Sequence, residues 1–278
     1  MTATFESSSR FVEVEPGKSL HYHDVGEGFP VVCLHGGGPG ASGWANYSRN
    51  IDALAQHFRV LAFDLPQFGR SFKDTFTEDL YPSFARVVDR ALGKIGIEKA
   101  HFIGNSMGGA VSCFIAHFNP DRVARLVLMG PGGVFDSLFQ PTPTDPHHDL
   151  FAYYNPGPPS EDKLRKLFHS FVYDPANVTD ELVAMRYAAS IEPETLAALA
   201  NYGIQKLGDV RPILQGIEHR AMVIWGLEDR ILTLDTPLTY AKLMPSVEVI
   251  MYPKTGHWVQ WERAEDFNRN AIEFLNRL

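Results

Sequence analysis

A serine, an aspartate and a histidine, each placed just after an apolar run, are the residues of this chain that could do chemistry together. Ser106 lies in Gly104-Asn105-Ser106-Met107-Gly108-Gly109, directly after Ala100-His101-Phe102-Ile103. A strand that turns this abruptly into a helix needs small residues on both sides of the serine, because a Cβ at position 104 or 108 would strike the neighbouring strand or helix. The same turn lifts the hydroxyl above the sheet edge and aims the first amides of the next helix at whatever binds there, which suits a developing oxyanion. Ser106 is the candidate nucleophile. A chain with 23 glycines also meets such a motif by chance, and a plain tight turn would look the same, so its surroundings have to decide.

Asp229 follows the run Ala221–Gly226, and His257 follows Val247–Tyr252 in the loop Pro253-Lys254-Thr255-Gly256-His257-Trp258. A serine hydroxyl is a poor nucleophile until a histidine takes its proton, and the histidine needs an anion at its other nitrogen to hold the tautomer and stabilise imidazolium. Taken singly, Asp229 reads as a turn former and His257 as a surface residue. In the order serine, acid, histidine, each after a strand, they read as one relay. The run Gly36-Gly37-Gly38-Pro39-Gly40 follows Val31-Val32-Cys33-Leu34-His35 and lacks both the Gly-Lys-Ser/Thr ending of a phosphate loop and the spacing of a dinucleotide fingerprint. Bare backbone there leaves an amide of Gly37 or Gly38 free to meet a reacting oxygen.

Positioning these groups takes a parallel sheet, whose sites lie at the carboxyl ends of its strands. Val31–His35, Val60–Asp64, Ala100–Ile103, Leu126–Met129 and Ala221–Gly226 are near-continuous apolar runs, the mark of strands buried on both faces. Val247–Tyr252 is a further strand, helical spacing separates several of these runs at Phe84–Ile95 and Met107–Phe118, and Ala264–Leu278 closes the chain as an amphipathic helix. Phe11–Val14 and Leu20–Val25, joined by Glu15-Pro16-Gly17-Lys18, form an antiparallel hairpin. Asp64 opens the turn Asp64-Leu65-Pro66-Gln67-Phe68-Gly69 and braces it. From Pro131 the texture changes: prolines break the chain at 141–146 and 156–159, and helical stretches follow at Ser160–Phe171, Thr179–Ser190 and onward to Gln205. The expected organisation is a core of residues 1–133 and 211–278 with a helical cap at 134–210. His147-His148-Asp149 has no third ligand at a supportive spacing and is read as a solvated loop, with no metal.

At 278 residues the chain suits one α/β core with an insertion, and 45% hydrophobic with 21% charged residues is ordinary for a globular protein. A net charge of -8 without a basic run argues against nucleic acid or an anionic membrane as partner. Met1–Arg10 has no apolar core for a secretory signal, and no apolar run is long enough to span a bilayer, so a cytoplasmic location is expected. Cys33 and Cys113 sit in apolar segments, outside any metal or redox spacing, and no disulfide is expected.

Together these features resemble the α/β-hydrolase superfamily over nearly the whole chain. Within it, His35-Gly36-Gly37-Gly38-Pro39-Gly40-Ala41, Gly104–Gly109, Met129-Gly130-Pro131-Gly132-Gly133 and Gly256-His257-Trp258-Val259-Gln260-Trp261-Glu262 are similar to the meta-cleavage product hydrolases. Those enzymes cleave a carbon–carbon bond in the vinylogous diketo acids left by extradiol opening of catechols. The resemblance implies the α/β-hydrolase fold, with a mostly parallel central sheet, helices on both faces and a helical cap inserted after the sixth strand. It implies a Ser106-His257-Asp229 triad, oxyanion amides from Gly37 and Met107, and a site for the dienoate carboxylate and its neighbouring oxygen built from Gly38, Asn46, Asn105, Arg186 and Trp258. It further implies a small acidic substrate, no cofactor, and a homodimer or larger homo-oligomer. Arg186 has an independent rationale, since an acid bound by a chain of net charge -8 needs a local, always charged fork; on spacing alone it could equally make a surface ion pair. Gln67 stands where the family usually has glycine, a departure that bears on pocket shape. The alternatives are a carboxylesterase of the same fold and a small-molecule receptor that keeps the pocket.

Overall fold

A computed structural model describes residues 3–138, 145–199 and 206–277. Eight strands, β1 (Ser9–Glu15), β2 (Lys18–Val25), β3 (Pro30–Leu34), β4 (Arg59–Phe63), β5 (Ala100–Asn105), β6 (Val123–Met129), β7 (Ala221–Gly226) and β8 (Val247–Tyr252), form one sheet in the order β1-β2-β4-β3-β5-β6-β7-β8. β1 and β2 are the expected antiparallel hairpin, β2 is also antiparallel to β4, and every pair from β4 to β8 is parallel. Alternate residues of β3 supply the two faces. Val32 and Leu34 pack with Phe84, Val88 and Leu92 of helix Leu80–Lys94, while Val31 and Cys33 pack with Phe267 and Phe274 of helix Ala264–Asn276. With helices on both sides, every residue of β5 and β7 is buried, and this is why those runs show no polar alternation.

Helix Leu80–Lys94 starts four residues before the periodic stretch begins. Leu80 and Tyr81 are buried, their amides donate to the carbonyls of Lys206 and Leu207 at 2.9 and 2.8 Å, and Pro82 occupies the first turn, where a missing N–H costs nothing. The chain enters the parallel sheet at β3, moves to β4 on one side and then crosses to β5 on the other. Its direction of winding therefore reverses between β3 and β5, and a crevice opens at the carboxyl ends of these two strands. Leu34 pairs with Gly104 in that register, so the loop that starts at His35 lies beside the turn that carries Ser106.

The helical insertion follows β6, with helices Asp145–Ala152, Glu161–Phe171, Asp180–Ser190 and Pro193–Leu199, before the chain returns through Arg211–Leu214 to β7. Ser160 and Thr179 are the N-caps of two of these helices and accept from the amides of Lys163 and Leu182, each worth about 1 kcal/mol. The insertion docks through Leu164, Leu167, Phe168, Leu182 and Val183 against Ile231, Trp258 and Trp261, which lie in the segments after β7 and β8. Asp149 pairs with Lys166 at 2.8 Å, and among the described residues no group of three or more His, Cys, Asp or Glu forms a metal site. Cys33 and Cys113 are buried free thiols, and among the described residues no helix is long and apolar enough to cross a membrane. The proline run at 140–144 and the end of the expected cap helices, 200–205, lie outside the described residues.

Candidate active site

The turn after β5 places Ser106 at φ 50° and ψ -115°, a conformation that costs a non-glycine residue roughly 1–3 kcal/mol. Its amide donates to the Met129 carbonyl at 3.0 Å, and its carbonyl accepts from Gly109 at 3.0 Å, Ala110 at 3.2 Å and Gly132 at 2.9 Å, so backbone bonds on both sides hold the strained residue. A Cβ at Gly104 would lie 2.5 Å from the Gly108 carbonyl oxygen, and one at Gly108 would lie 2.1 Å from that of Leu34. The two glycines of the motif are thus steric requirements, and Ser106 keeps partial exposure.

His257 and Asp229 meet from the ends of β8 and β7. Nδ1 of His257 is 2.7 Å from Oδ2 of Asp229 with both side chains buried, and Oδ1 of Asp229 accepts from the amides of Ile231 and Leu232 at 2.8 and 2.9 Å. The insertion helps to seat the imidazole. The His257 amide donates to the Phe171 carbonyl at 2.7 Å, the Phe171 ring stands 5.6 Å from the imidazole, and Glu262 accepts from Gly256 on one oxygen and from Tyr173 and Asp174 on the other. Nε2 of His257 is buried and bonds to none of the described residues, Ser106 included. The ring lies against Gly130, where a Cβ would be 3.2 Å from its Cε1, and Gly132 lies against Ser106, so the loop after β6 spans the two groups. A proton relay through Nε2 needs that contact to close when substrate binds.

Met107 is the first residue of helix Met107–Phe118, where an amide has no acceptor within the helix. Gly37 borders open space, and Gly36 lies flat against the turn, with a Cβ there only 2.8 Å from Oδ1 of Asn105 and 3.1 Å from Cβ of Ser106. His35 orients this loop. Leu65 donates its amide to Nε2 at 2.9 Å, which leaves the proton on Nδ1 to donate to the Gly36 carbonyl at 2.7 Å. That oxygen and the Gly37 N–H belong to one planar trans peptide, so drawing the oxygen toward His35 turns the N–H the opposite way. Burial lowers the His35 pKa to about 4, and the ring is neutral.

Arg186, on helix Asp180–Ser190 of the insertion, is 2% exposed. Its Nε donates to the Pro39 carbonyl at 2.8 Å, its guanidinium stands 5.0 Å from the Phe168 ring and 5.7 Å from that of Trp258, and Nη2 has no partner among the described residues. Burial lowers its pKa to about 10, which leaves it charged at neutral pH. Gly38 (φ 102°) brings backbone close to the cation, since a Cβ there would lie 3.6 Å from Nη2. A Cβ at Gly40 would lie 1.9 Å from the Arg186 carbonyl oxygen, so that glycine admits the helix itself. Asn46, buried on helix Gly43–Tyr47, leaves Nδ2 unpaired among the described residues; Asn105 donates from Nδ2 to the Met129 carbonyl at 3.2 Å and leaves Oδ1 unpaired. Buried polar atoms without partners are costly and rare, and Asn46 and Arg186 bring theirs to the walls of one narrow pocket.

The fold and this site place the chain among hydrolases that use an activated serine. It belongs to the α/β-hydrolase fold family, whose model matches residues 30–264. Within that family it belongs to the meta-cleavage product hydrolases. It is 40% identical to a 2-hydroxy-6-oxo-6-phenylhexa-2,4-dienoate hydrolase of Burkholderia cepacia, over 99% of each chain. It is also 40% identical to a 2-hydroxy-6-oxononadienedioate/2-hydroxy-6-oxononatrienedioate hydrolase of Comamonas testosteroni, over 97% of this chain and 96% of the other. A solved meta-cleavage product hydrolase from Pseudomonas fluorescens superposes with a TM-score of 0.85 at 31% identity, covering 96% of this chain and 97% of its own.

His35, Gln260 and Glu262 stand in the motifs that carry the resemblance, but the sequence assigned them no role: the signal for His35 was its place at the head of the glycine loop, and Gln260 and Glu262 look like ordinary polar residues of a short helix. Gln67 adopts φ 76°, where glycine would be free of strain, and its side-chain amide clamps the backbone of Asp74, accepting from its N–H at 2.8 Å and donating to its carbonyl. The residue lines a cavity of about 400 Å³ with Gly38, Phe68, Leu150, Tyr154 and Thr195, between the core loops and the insertion.

Proposed function

We propose that this chain hydrolyses a carbon–carbon bond in a 2-hydroxy-6-oxohexa-2,4-dienoate-type meta-cleavage product, with Ser106 as nucleophile, His257 as base and Asp229 as its orienting acid. In this reading residues 1–133 and 211–278 are the core and 134–210 the cap. The dienoate carboxylate lies against Nη2 of Arg186 with Gly38, Asn46, Asn105 and Trp258 around it and its neighbouring oxygen. The dienol ketonises, Ser106 attacks the 6-oxo carbon as His257 takes its proton, and the amides of Gly37 and Met107 receive the oxyanion. The bond to C5, which ketonisation has already protonated, breaks with its electron pair delocalised onto the oxygen beside the carboxylate; that oxygen takes the proton held by His257, and water activated by His257 then releases the acyl group from Ser106.

The observation that carries this reading is Arg186, a buried cation with an unpaired donor beside a bare backbone, near a buried His-Asp pair. A neutral ester has no use for it. The relatives point the same way, since both curated enzymes described above are named for 2-hydroxy-6-oxo dienoic acids. The test is Ser106→Ala, which removes the nucleophile but little volume: turnover of 2-hydroxy-6-oxo-6-phenylhexa-2,4-dienoate should vanish while its binding persists. Near-normal turnover would rule out the serine mechanism. A cytoplasmic homodimer or larger homo-oligomer belongs to the same reading, and sedimentation of the purified chain tests its assembly.

A further inference from the structure

Gln260 lies on the one-turn helix Val259–Glu262, three residues after His257, and is 1% exposed. Its Nε2 donates to the Asn46 carbonyl at 3.4 Å, which orients the amide, because exchanging its nitrogen and oxygen would set two carbonyl oxygens against each other. Oε1 is then left as an acceptor, buried and with no partner among the described residues. Gln260 shares a narrow pocket with Ala45, Asn46, Leu182, Arg186, Trp258 and Trp261. Two other residues on these walls carry buried, unpaired polar atoms, Nδ2 of Asn46 and Nη2 of Arg186.

The three atoms make an inventory of two donors and one acceptor. A carboxylate answers the donors. It cannot answer Gln260, because carboxylate oxygens only accept hydrogen bonds and an amide oxygen would repel them. Arginine and tryptophan side chains have no acceptor, and of the residues lining this pocket Gln260 is the one whose acceptor is buried and unpaired among the described residues. A ligand that satisfies the whole set carries a hydroxyl next to its acid group. The pocket has no room for a water molecule as it stands, so its walls have to part as the acid enters.

Resting on the substrate reading above, we propose that Gln260 is a specificity-determining residue. Its Oε1 accepts a hydrogen bond from the hydroxyl beside the substrate carboxylate, so the site selects a 2-hydroxy dienoic acid over the same acid without the hydroxyl. A site built to bond a hydroxyl rejects the analogue that lacks it, because the protein atom is then left buried and unpaired.

The experiment measures equilibrium binding of 2-hydroxy-6-oxo-6-phenylhexa-2,4-dienoate and of 6-oxo-6-phenylhexa-2,4-dienoate in a Ser106→Ala background, which prevents turnover. Position 260 is varied as Gln, Gln260→Met and Gln260→Glu. With Gln260 intact, the 2-hydroxy acid should bind about 10- to 100-fold more tightly. Gln260→Met should bring the two acids to within about twofold by weakening the hydroxy acid alone. Gln260→Glu should weaken both acids by like charge yet keep their ratio, because it still accepts. A ratio that survives in Gln260→Met means that Gln260 only packs, and overturns the proposal. If Gln260→Met does not fold, Gln260→Glu decides: a ratio near one there overturns it as well. Should neither acid bind with Gln260 intact, the substrate reading fails and takes the proposal with it; turnover of the dienoate by the native chain together with an unmoved ratio sinks the Gln260 role alone.

Discussion

Nε of Arg186 donates to the carbonyl of Pro39 at 2.8 Å, across 147 positions of sequence, and this one bond joins the insertion to the glycine loop. It fixes which edge of the guanidinium stays available. The backbone carbonyl occupies Nε, Phe168 and Trp258 flank the plane, and Nη2 is left beside Gly38.

Arg186→Lys should therefore fail to substitute. A lysine keeps the charge but cannot hold Pro39 and present a second donor in a fixed plane. We expect kcat/KM for a dienoate to fall about 100-fold or more, with Arg186→Ala no better, since a buried carboxylate without its cation costs roughly 3–5 kcal/mol. A neutral aryl ester should lose far less. Paired kinetics on the two substrates check this, and equal losses would make Arg186 a purely structural residue.

Asp229→Asn should fold and lose activity by about 10⁴-fold through the tautomer of His257. The amides of Ile231 and Leu232 require an acceptor on their side, so an asparagine must place its oxygen there and its NH₂ toward Nδ1. The ring proton is then forced onto Nε2, which can no longer accept from Ser106. Single-turnover rates measure the loss, and an unchanged rate would move the acid role elsewhere.

His35→Ala should lower kcat more than it raises KM. Without the bond to the Gly36 carbonyl, the 36–37 peptide is free to rotate and its N–H no longer points one way. Losing one oriented oxyanion donor costs about 10²–10³ in kcat. A boronic acid that mimics the tetrahedral intermediate should lose affinity in step with kcat, while substrate binding to the Ser106→Ala/His35→Ala double variant should stay close to that of Ser106→Ala. Equal weakening of both ligands would contradict the orienting role.

Stability should fall as pH drops from about 7 toward 4. His35 is buried and neutral with its pKa lowered to about 4, whereas the unfolded chain takes up that proton near the ordinary 6.5. The unfolded state binds more protons across this window, so acid favours it, and His35 alone accounts for roughly 3 kcal/mol between the two values. His23 and His101, each lowered to about 4 by burial, act in the same direction. Denaturant titrations at several pH values give the slope, and a stability that rises on acidification would contradict the burial of these rings.

What the sequence determined by itself is local. Gly104 and Gly108 bracket Ser106 because backbone approach there forbids a Cβ, Ser160 and Thr179 cap helices because their hydroxyls reach amides three residues on, and doubly buried strands read as unbroken apolar runs. These constraints act within a few residues, so spacing reveals them. The order serine, acid, histidine was legible for the same reason, each residue following its own strand. Tertiary structure alone decided which loops meet. The reversal between β3 and β5 sets His35 and Gly36 beside Ser106, and docking of the insertion brings Phe171 to His257, Tyr173 and Asp174 to Glu262, and Arg186 to Pro39. No periodicity marks Gln260, whose acceptor acquires meaning only where the Asn46 carbonyl turns its amide and the Arg186 helix closes over it. Contacts between distant segments depend on strand order and on how the insertion packs, and neither is written in the spacing of neighbouring residues.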